Sequence, residues 1–171
     1  DIYAYTLEKA VEITSSKIGF LGFVSEDELT VSIYNWSGAA KKECQVEGYS
    51  SVFELKNAGI WGEVVRTREP LLINDYNVPN AMKRGLPVGH VKLKNYLSLP
   101  IFSMGKIVAV IAVGNKDKDY KGIDQKRLSL LLDSMWKLVE QKNYQEELKV
   151  AKDRAQKNEE RFELAMKASQ D

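Results

Sequence analysis

The sequence contains very few of the residues that form disulfides, bind metals or act as nucleophiles. It has one cysteine, Cys44, and one histidine, His90, in 171 residues. A single cysteine excludes an internal disulfide and a multi-cysteine metal site, and it is typical of proteins in a reducing cytoplasm. Nucleophilic catalysis needs a base within hydrogen-bond reach of the nucleophile, and the irregular segments around these two residues do not indicate such a contact. We therefore expect a cytoplasmic protein without enzyme activity.

Long hydrophobic runs and an excess of one charge are also missing. No apolar run reaches the roughly 18 residues of a transmembrane helix, and the sequence pattern predicts no signal peptide. The net charge of +1 predicts no general attraction to nucleic acid or membrane. No glycine-rich phosphate loop occurs. Because the sequence begins at Asp1 rather than methionine, we expect it to be part of a longer protein.

The strongest local pattern is a β-hairpin over residues 95–115. Both arms alternate in the two-residue period of strands, and Met104 and Gly105 supply a short turn. The second arm is apolar on both faces, which predicts a central strand of a sheet that is covered on both sides. Pro100 cannot donate to a strand ladder, so we expect an unpaired edge or a bulge at that position.

Apolar spacing and turn residues predict the elements before this hairpin. In chain order they are a helix over 1–18, strands over 19–24 and 29–36, an ambiguous segment with a short strand over 37–56, a helix over 59–69, a strand over 71–73 and a loop over 74–93. We expect Asn57 to cap the 59–69 helix and Pro70 to end it. The predicted fold is α+β, with a central antiparallel sheet, the terminal helices on one face and the 37–93 segments on the other.

A long helix is predicted to begin at Asp124. Its first apolar positions are Leu128, Leu131, Met135 and Leu138. A second, out-of-phase heptad set follows: Tyr144, Leu148, Ala151, Ala155, Asn158, Phe162 and Ala165. This pattern favours a parallel homodimeric coiled coil over residues 124–168, and a single amphipathic surface helix is the alternative.

Three stretches together resemble the GAF domain family, in a subgroup found in multi-domain sensor histidine kinases. They are AGIWGEVVRTREPLLINDY (58–76), NYLSLPIFSMGKIVAVIAVGNK (95–116) and DQKRLSLLL (124–132). The resemblance implies a GAF sensor domain over residues 1–140 that binds a small molecule. NEERFELAMKASQD (158–171) resembles the helix that leads into a PAS domain. Residues 141–171 would then be a coiled-coil signalling helix at the start of a truncated PAS domain, with a kinase further along the parent chain.

The resemblance also limits the chemistry that is expected. The Lys116 and Asp124 pair partly matches a family motif that braces the fold, and the departures Tyr120 and Gln125 weaken a cyclic-nucleotide interpretation. Family members that reduce methionine sulfoxide use more than one cysteine, and bilin-binding relatives place a cysteine beside a histidine. Neither pattern occurs here. Haem remains possible as a cofactor, because either Cys44 or His90 can be an axial ligand.

The predicted ligand site lies under the 74–93 loop. Its polar groups are His90, Asp75, Tyr76 and Asn74, its apolar walls are Trp61, Tyr96 and Phe102, and Cys44 is a further candidate. Each of these residues could instead have a structural role. Cys44 could be a small buried apolar residue, and His90 could be a loop residue bonded to the backbone. Two alternatives to small-molecule sensing follow, namely a haem-based redox or gas sensor and a dimerisation module without a ligand.

Overall fold

The computed structural model describes residues 1–43, 52–84 and 90–168. Six strands form one sheet: β1 (Ile18–Val24), β2 (Thr30–Trp36), β3 (Val52–Glu54), β4 (Leu71–Ile73), β5 (Tyr96–Ser103) and β6 (Lys106–Gly114). The strand order is β3-β2-β1-β6-β5-β4, and each neighbouring pair is antiparallel. The described helices are α1 (Ile2–Ile13), α2 (Gly38–Glu43), α3 (Ile60–Thr67) and α4 (Gly122–Ala168), with a 3₁₀ turn at Leu55–Asn57. The predicted α+β fold with an antiparallel sheet is confirmed.

The predicted hairpin supplies β6, one of the two central strands of the sheet, and its outer neighbour β5. Met104 and Gly105 have φ values of 48° and 78°, the left-handed pair that matches the twist of a two-residue hairpin. The register shift falls between Ile101 and Phe102, whereas Pro100 is paired with Val110. The irregularity that we expected at Pro100 therefore lies just after it.

The two faces of the sheet are covered by different helices. A methyl group added at Gly19 would lie 3.0 Å from Val11 and 3.2 Å from Leu7, so α1 crosses the Gly19 face closely. Phe20 points to the opposite face, because side chains alternate along a strand. There it shares a buried apolar cluster with Val64 of α3. The sheet thus has helical cover on both sides, as the apolar central strand predicts.

The predicted end of the first helix and the predicted N-cap of the second are wrong. The first helix ends at Ile13, because the Thr14 hydroxyl donates to Ala10 O at 2.6 Å and Ser15 takes a positive φ of 54°. Ile18 already belongs to β1. In the second case Asn57 does not cap α3: it lies in the 3₁₀ turn, and Gly59 holds the N-cap position without a side-chain bond.

Asp124 secures the start of α4. Its carboxylate accepts from Lys116 Nζ at 2.6 Å and from the Lys121 backbone N–H at 2.8 Å. Gly122 is the first helical residue, so Asp124 lies in the first turn and bonds back to the amide just before it. The predicted Lys116–Asp124 contact is confirmed, although Asp124 is not the N-cap itself.

The buried side of α4 is offset from the prediction. The buried positions after Asp124 are Leu128, Leu132, Met135 and Val139, whereas Leu138 is 56% exposed. The chain divides into two compact units, Asp1–Met135 and Trp136–Asp171. Within the described ranges no helix is both long and apolar enough to cross a membrane. The proposed domain boundary at residue 140 stays a prediction.

Candidate functional site

A cavity of about 140 Å³ lies between α3 and the Phe20 face of the sheet. Its walls are mainly aromatic: Phe20, Trp36, Phe53, Trp61, Tyr76 and Tyr96. An engineered apolar cavity of about 150 Å³ in another protein binds benzene. The volume here therefore suits a molecule of about one six-membered ring.

Pairs of rings from different elements fix the shape of these walls. Phe20 of β1 and Trp36 of β2 have ring centroids 5.3 Å apart, and Phe53 and Trp61 meet edge to face at 5.5 Å. Edge-to-face pairs are favourable beyond the area that they bury. The cavity is deeper above Ala112 than above Phe20, the larger residue with which Ala112 pairs across β1 and β6. A small residue beside a large one leaves room above the central strand.

Tyr96 lines the cavity and carries an unsatisfied polar group. It is 4% exposed, and its hydroxyl has no hydrogen-bond partner among the described residues. The fully buried hydroxyl of Ser98, on the same face of β5, is unsatisfied as well. Burial raises the pKa of Tyr96 far above its ordinary value, and the nearby Ser98 hydroxyl opposes the rise only in part. The Tyr96 hydroxyl is therefore neutral at physiological pH and available to donate.

His90 and Tyr76 also line the cavity. His90 Nδ1 lies 2.7 Å from Val91 O. A carbonyl oxygen can only accept, so this bond places a proton on Nδ1, and in the neutral ring Nε2 is then the accepting nitrogen. The Lys83 ammonium lies 4.4 Å from the centre of the Tyr76 ring and donates to the carbonyl oxygens of Tyr76 and Val78. Burial raises the pKa of Tyr76.

The structure places three other predicted site residues away from the cavity. Asn74 bonds the Tyr120 backbone in both directions, at 3.1 Å to its carbonyl and 2.7 Å from its amide. Asp75 is exposed, and its carboxylate accepts from Asn77 N–H. Phe102 is 45% exposed beneath the guanidinium group of Arg68.

Four of the eight predicted site residues thus come together around the cavity, namely Trp61, Tyr76, His90 and Tyr96. Cys44 lies outside the described residues. The ligand-binding role of all eight stays a prediction. Sequence reasoning missed Phe20 and Phe53 as wall residues. The small residues Ala112 and Gly114, two apart on one face of a central strand, are the signal that could have located the cavity.

The lining is chemically simple. No Asp, Glu, Lys or Arg side chain lines the cavity in the part of the chain that the structure describes. Among those residues there is also no group of three or more His, Cys, Asp or Glu side chains that could hold a metal ion. A porphyrin ring system is several times larger than benzene, so a cavity of about 140 Å³ does not enclose a haem. Cys44 lies outside the described residues, and the haem interpretation stays a prediction. The volume and the uncharged lining suit a small uncharged molecule.

Comparison with known proteins identifies the family. The GAF domain family model matches residues 1–140. The methyl sulfide methyltransferase-associated sensor of Methanosarcina acetivorans is 41% identical over 149 residues, and the matched part is 87% of this chain but 15% of that protein. The GAF domain from a phosphoenolpyruvate-protein phosphotransferase of Coxiella burnetii has a similar structure, with a TM-score of 0.64 and 13% identity over 81% of this chain and 80% of that one. The second GAF domain of DevS from Mycobacterium smegmatis is also similar, with a TM-score of 0.59 and 15% sequence identity. That match covers 83% of this chain and 95% of the DevS domain. The chain belongs to the GAF domain family.

Proposed function

We propose that this chain is the regulatory sensor domain of a longer signal-transduction protein and binds a small molecule in the cavity beside Tyr96. The observation that carries this proposal is an aromatic cavity with a buried, unsatisfied hydroxyl. Pockets of this kind, mostly apolar with a few placed polar groups, are typical of small-molecule sites. The relative named as a sensor supports the role, and its much greater length supports a multi-domain parent. The proposed role is regulatory rather than catalytic.

The C-terminal helix is the proposed output of the domain. α4 is continuous from Gly122 to Ala168, and its second half exposes Tyr144, Leu148 and Phe162 in the single chain. These apolar side chains share the heptad seam, and a second copy in parallel would cover them. We propose a homodimer through residues 124–168, with a PAS domain and a histidine kinase following in the same chain. Ligand binding would shift the population of two conformations and bias the kinase through this helix.

The cavity itself can be tested with toluene as a size-matched probe. The chain has three tryptophans, of which Trp36 and Trp61 line the cavity and Trp136 lies on α4 outside it. In proton–nitrogen correlation spectra, toluene should shift the indole N–H signals of Trp36 and Trp61 and leave that of Trp136 in place.

A matched pair of variants distinguishes the cavity from the surface. Ala112→Leu adds an isopropyl group at the floor of the cavity and should abolish the shifts. Ala39→Leu makes the same change at an exposed position of α2 and should keep them. If toluene leaves both cavity tryptophans unchanged in the unmutated chain, the proposed ligand site does not exist.

A further inference from the structure

On the basis of the function proposed above, we infer that the ligand is an uncharged, largely apolar molecule of about one ring that accepts a hydrogen bond from the Tyr96 hydroxyl. The volume of the cavity, the charge of its lining and its hydrogen-bonding groups each restrict the class of ligand independently. The volume of about 140 Å³ sets the size. A ligand of about one ring fills this volume, as benzene does in a cavity of similar size, whereas a nucleotide would extend beyond it.

The charge restriction follows from the lining. A buried ion needs a counter-charge or several strong hydrogen bonds, and without them the neutral form is favoured. The described lining supplies no carboxylate, ammonium or guanidinium group. Lys83, the cation beside Tyr76, donates instead to the carbonyl oxygens of Tyr76 and Val78. An anionic or cationic ligand would therefore lose its hydration without an equivalent replacement.

The hydrogen-bond restriction follows from Tyr96. Its hydroxyl is buried and makes no hydrogen bond of normal geometry with the described residues. The buried Ser98 hydroxyl, two residues along, likewise makes none, and it is near enough to Tyr96 to lower the pKa of that tyrosine in part. Buried polar groups in native proteins are nearly always paired, so an exception calls for an explanation such as a missing ligand. A ligand oxygen or nitrogen with a lone pair would satisfy the Tyr96 O–H. His90 Nε2 offers the complementary acceptor if the ligand also carries a donor.

Three probes of one ring separate these claims. Phenol is neutral and can accept a hydrogen bond, toluene has the same size without a polar group, and benzoate is anionic at neutral pH. Affinities are measured by titrating each probe while following the Trp36 and Trp61 indole signals, with Trp136 as the internal reference. Phenol should bind at least tenfold tighter than toluene, since tenfold is the value of one net hydrogen bond, and benzoate should not bind.

Two conservative variants locate the hydrogen bond. Tyr96→Phe should reduce phenol affinity about tenfold and keep toluene affinity, and the kept toluene affinity shows that the cavity is intact. Tyr120→Phe removes another buried tyrosine hydroxyl, which is bonded to Ser16 outside the cavity, and should change neither affinity.

The unfavourable outcomes are distinguishable. Equal affinity for phenol and toluene, or equal losses of both in Tyr96→Phe, would overturn the hydrogen-bond assignment and leave the ligand site standing. Benzoate binding as tightly as phenol would overturn the uncharged class. If none of the three probes moves the cavity tryptophans, the inference and the proposed function fail together.

Discussion

Replacing Tyr96 with phenylalanine should stabilise the unliganded protein. Deleting a tyrosine hydroxyl usually removes a hydrogen bond and costs about 1 kcal/mol of the free energy of unfolding. Tyr96 differs, because its hydroxyl is buried and, apart from a contact with the Ser98 hydroxyl outside normal hydrogen-bond geometry, no described residue bonds it. In the unfolded chain water satisfies this group, so its burial opposes folding.

The gain in the free energy of unfolding for Tyr96→Phe follows from the cost of burying an unpaired hydroxyl. A buried polar group without a partner costs about 1–3 kcal/mol. The phenylalanine ring keeps the apolar contacts of Tyr96, so the gain should be about 1 kcal/mol after allowing for residual contact with the Ser98 hydroxyl. For a chain of this size that corresponds to a rise of about 3 °C in Tm.

Tyr120→Phe supplies the matched control. Tyr120 is 2% exposed, but its hydroxyl bonds Ser16 at 2.6 Å. That variant should lose about 1 kcal/mol. Urea unfolding, with an unchanged slope against denaturant, measures both changes. Equal destabilisation in Tyr96→Phe and Tyr120→Phe would refute the reasoning, since it would show that the Tyr96 hydroxyl is already satisfied, for example by an internal water.

The remaining predictions concern α4 and the cavity rim. Burial alone would raise the pKa of Asp124, but the hydrogen bonds from Lys116 and the Lys121 amide lower it overall. The ionised Asp124 therefore stabilises the folded protein above the unfolded-state pKa, and this stabilisation is lost as pH falls through the folded-state pKa. Asp124→Asn should lower the free energy of unfolding by about 2 kcal/mol at neutral pH and flatten the acid limb of the stability–pH profile. Leu148→Lys should convert the dimer to monomers in sedimentation experiments, whereas a monomeric unmutated chain would contradict the coiled coil. His90→Ala should weaken phenol binding by roughly 1–3 kcal/mol with little change in Tm, and the reverse pattern would make His90 a brace for the loop.

The parts of the fold that sequence could predict are those with local causes. The β4 strand and the β5–β6 hairpin follow from alternation and from a glycine at a positive φ in a tight turn. The end of α1 could not be predicted from apolar spacing, because it involves a hydrogen bond from the Thr14 hydroxyl to the Ala10 carbonyl. Apolar spacing alone extended that helix into Ile18, which is equally compatible with a strand.

The site was harder to predict because its geometry depends on long-range contacts. Asn74 is held by the backbone of Tyr120, 46 residues away, and periodicity within one segment cannot show such a bond. Phe102 has the same parity as Tyr96, so simple alternation directs both to one face. The register shift leaves this parity in place, because the extra residue is Val108 of β6 and Phe102 pairs with Ile107 of the same buried cluster. Distance is what separates the two side chains: six residues of strand span about 20 Å, so Phe102 lies near the hairpin turn under Arg68 instead of at the cavity.

The unsatisfied Tyr96 hydroxyl connects ligand binding to conformational bias. A ligand shifts an equilibrium only by the difference between its interaction energies with the two states. If the hydroxyl is buried in one state and hydrated in the other, a ligand that accepts its hydrogen bond removes a penalty of about 1 kcal/mol from the buried state alone. That difference changes the ratio of the two states by a factor of about five, before any apolar contact is counted. Tyr96→Phe should therefore do two things at once: favour the buried state without ligand, and remove this part of the response to phenol.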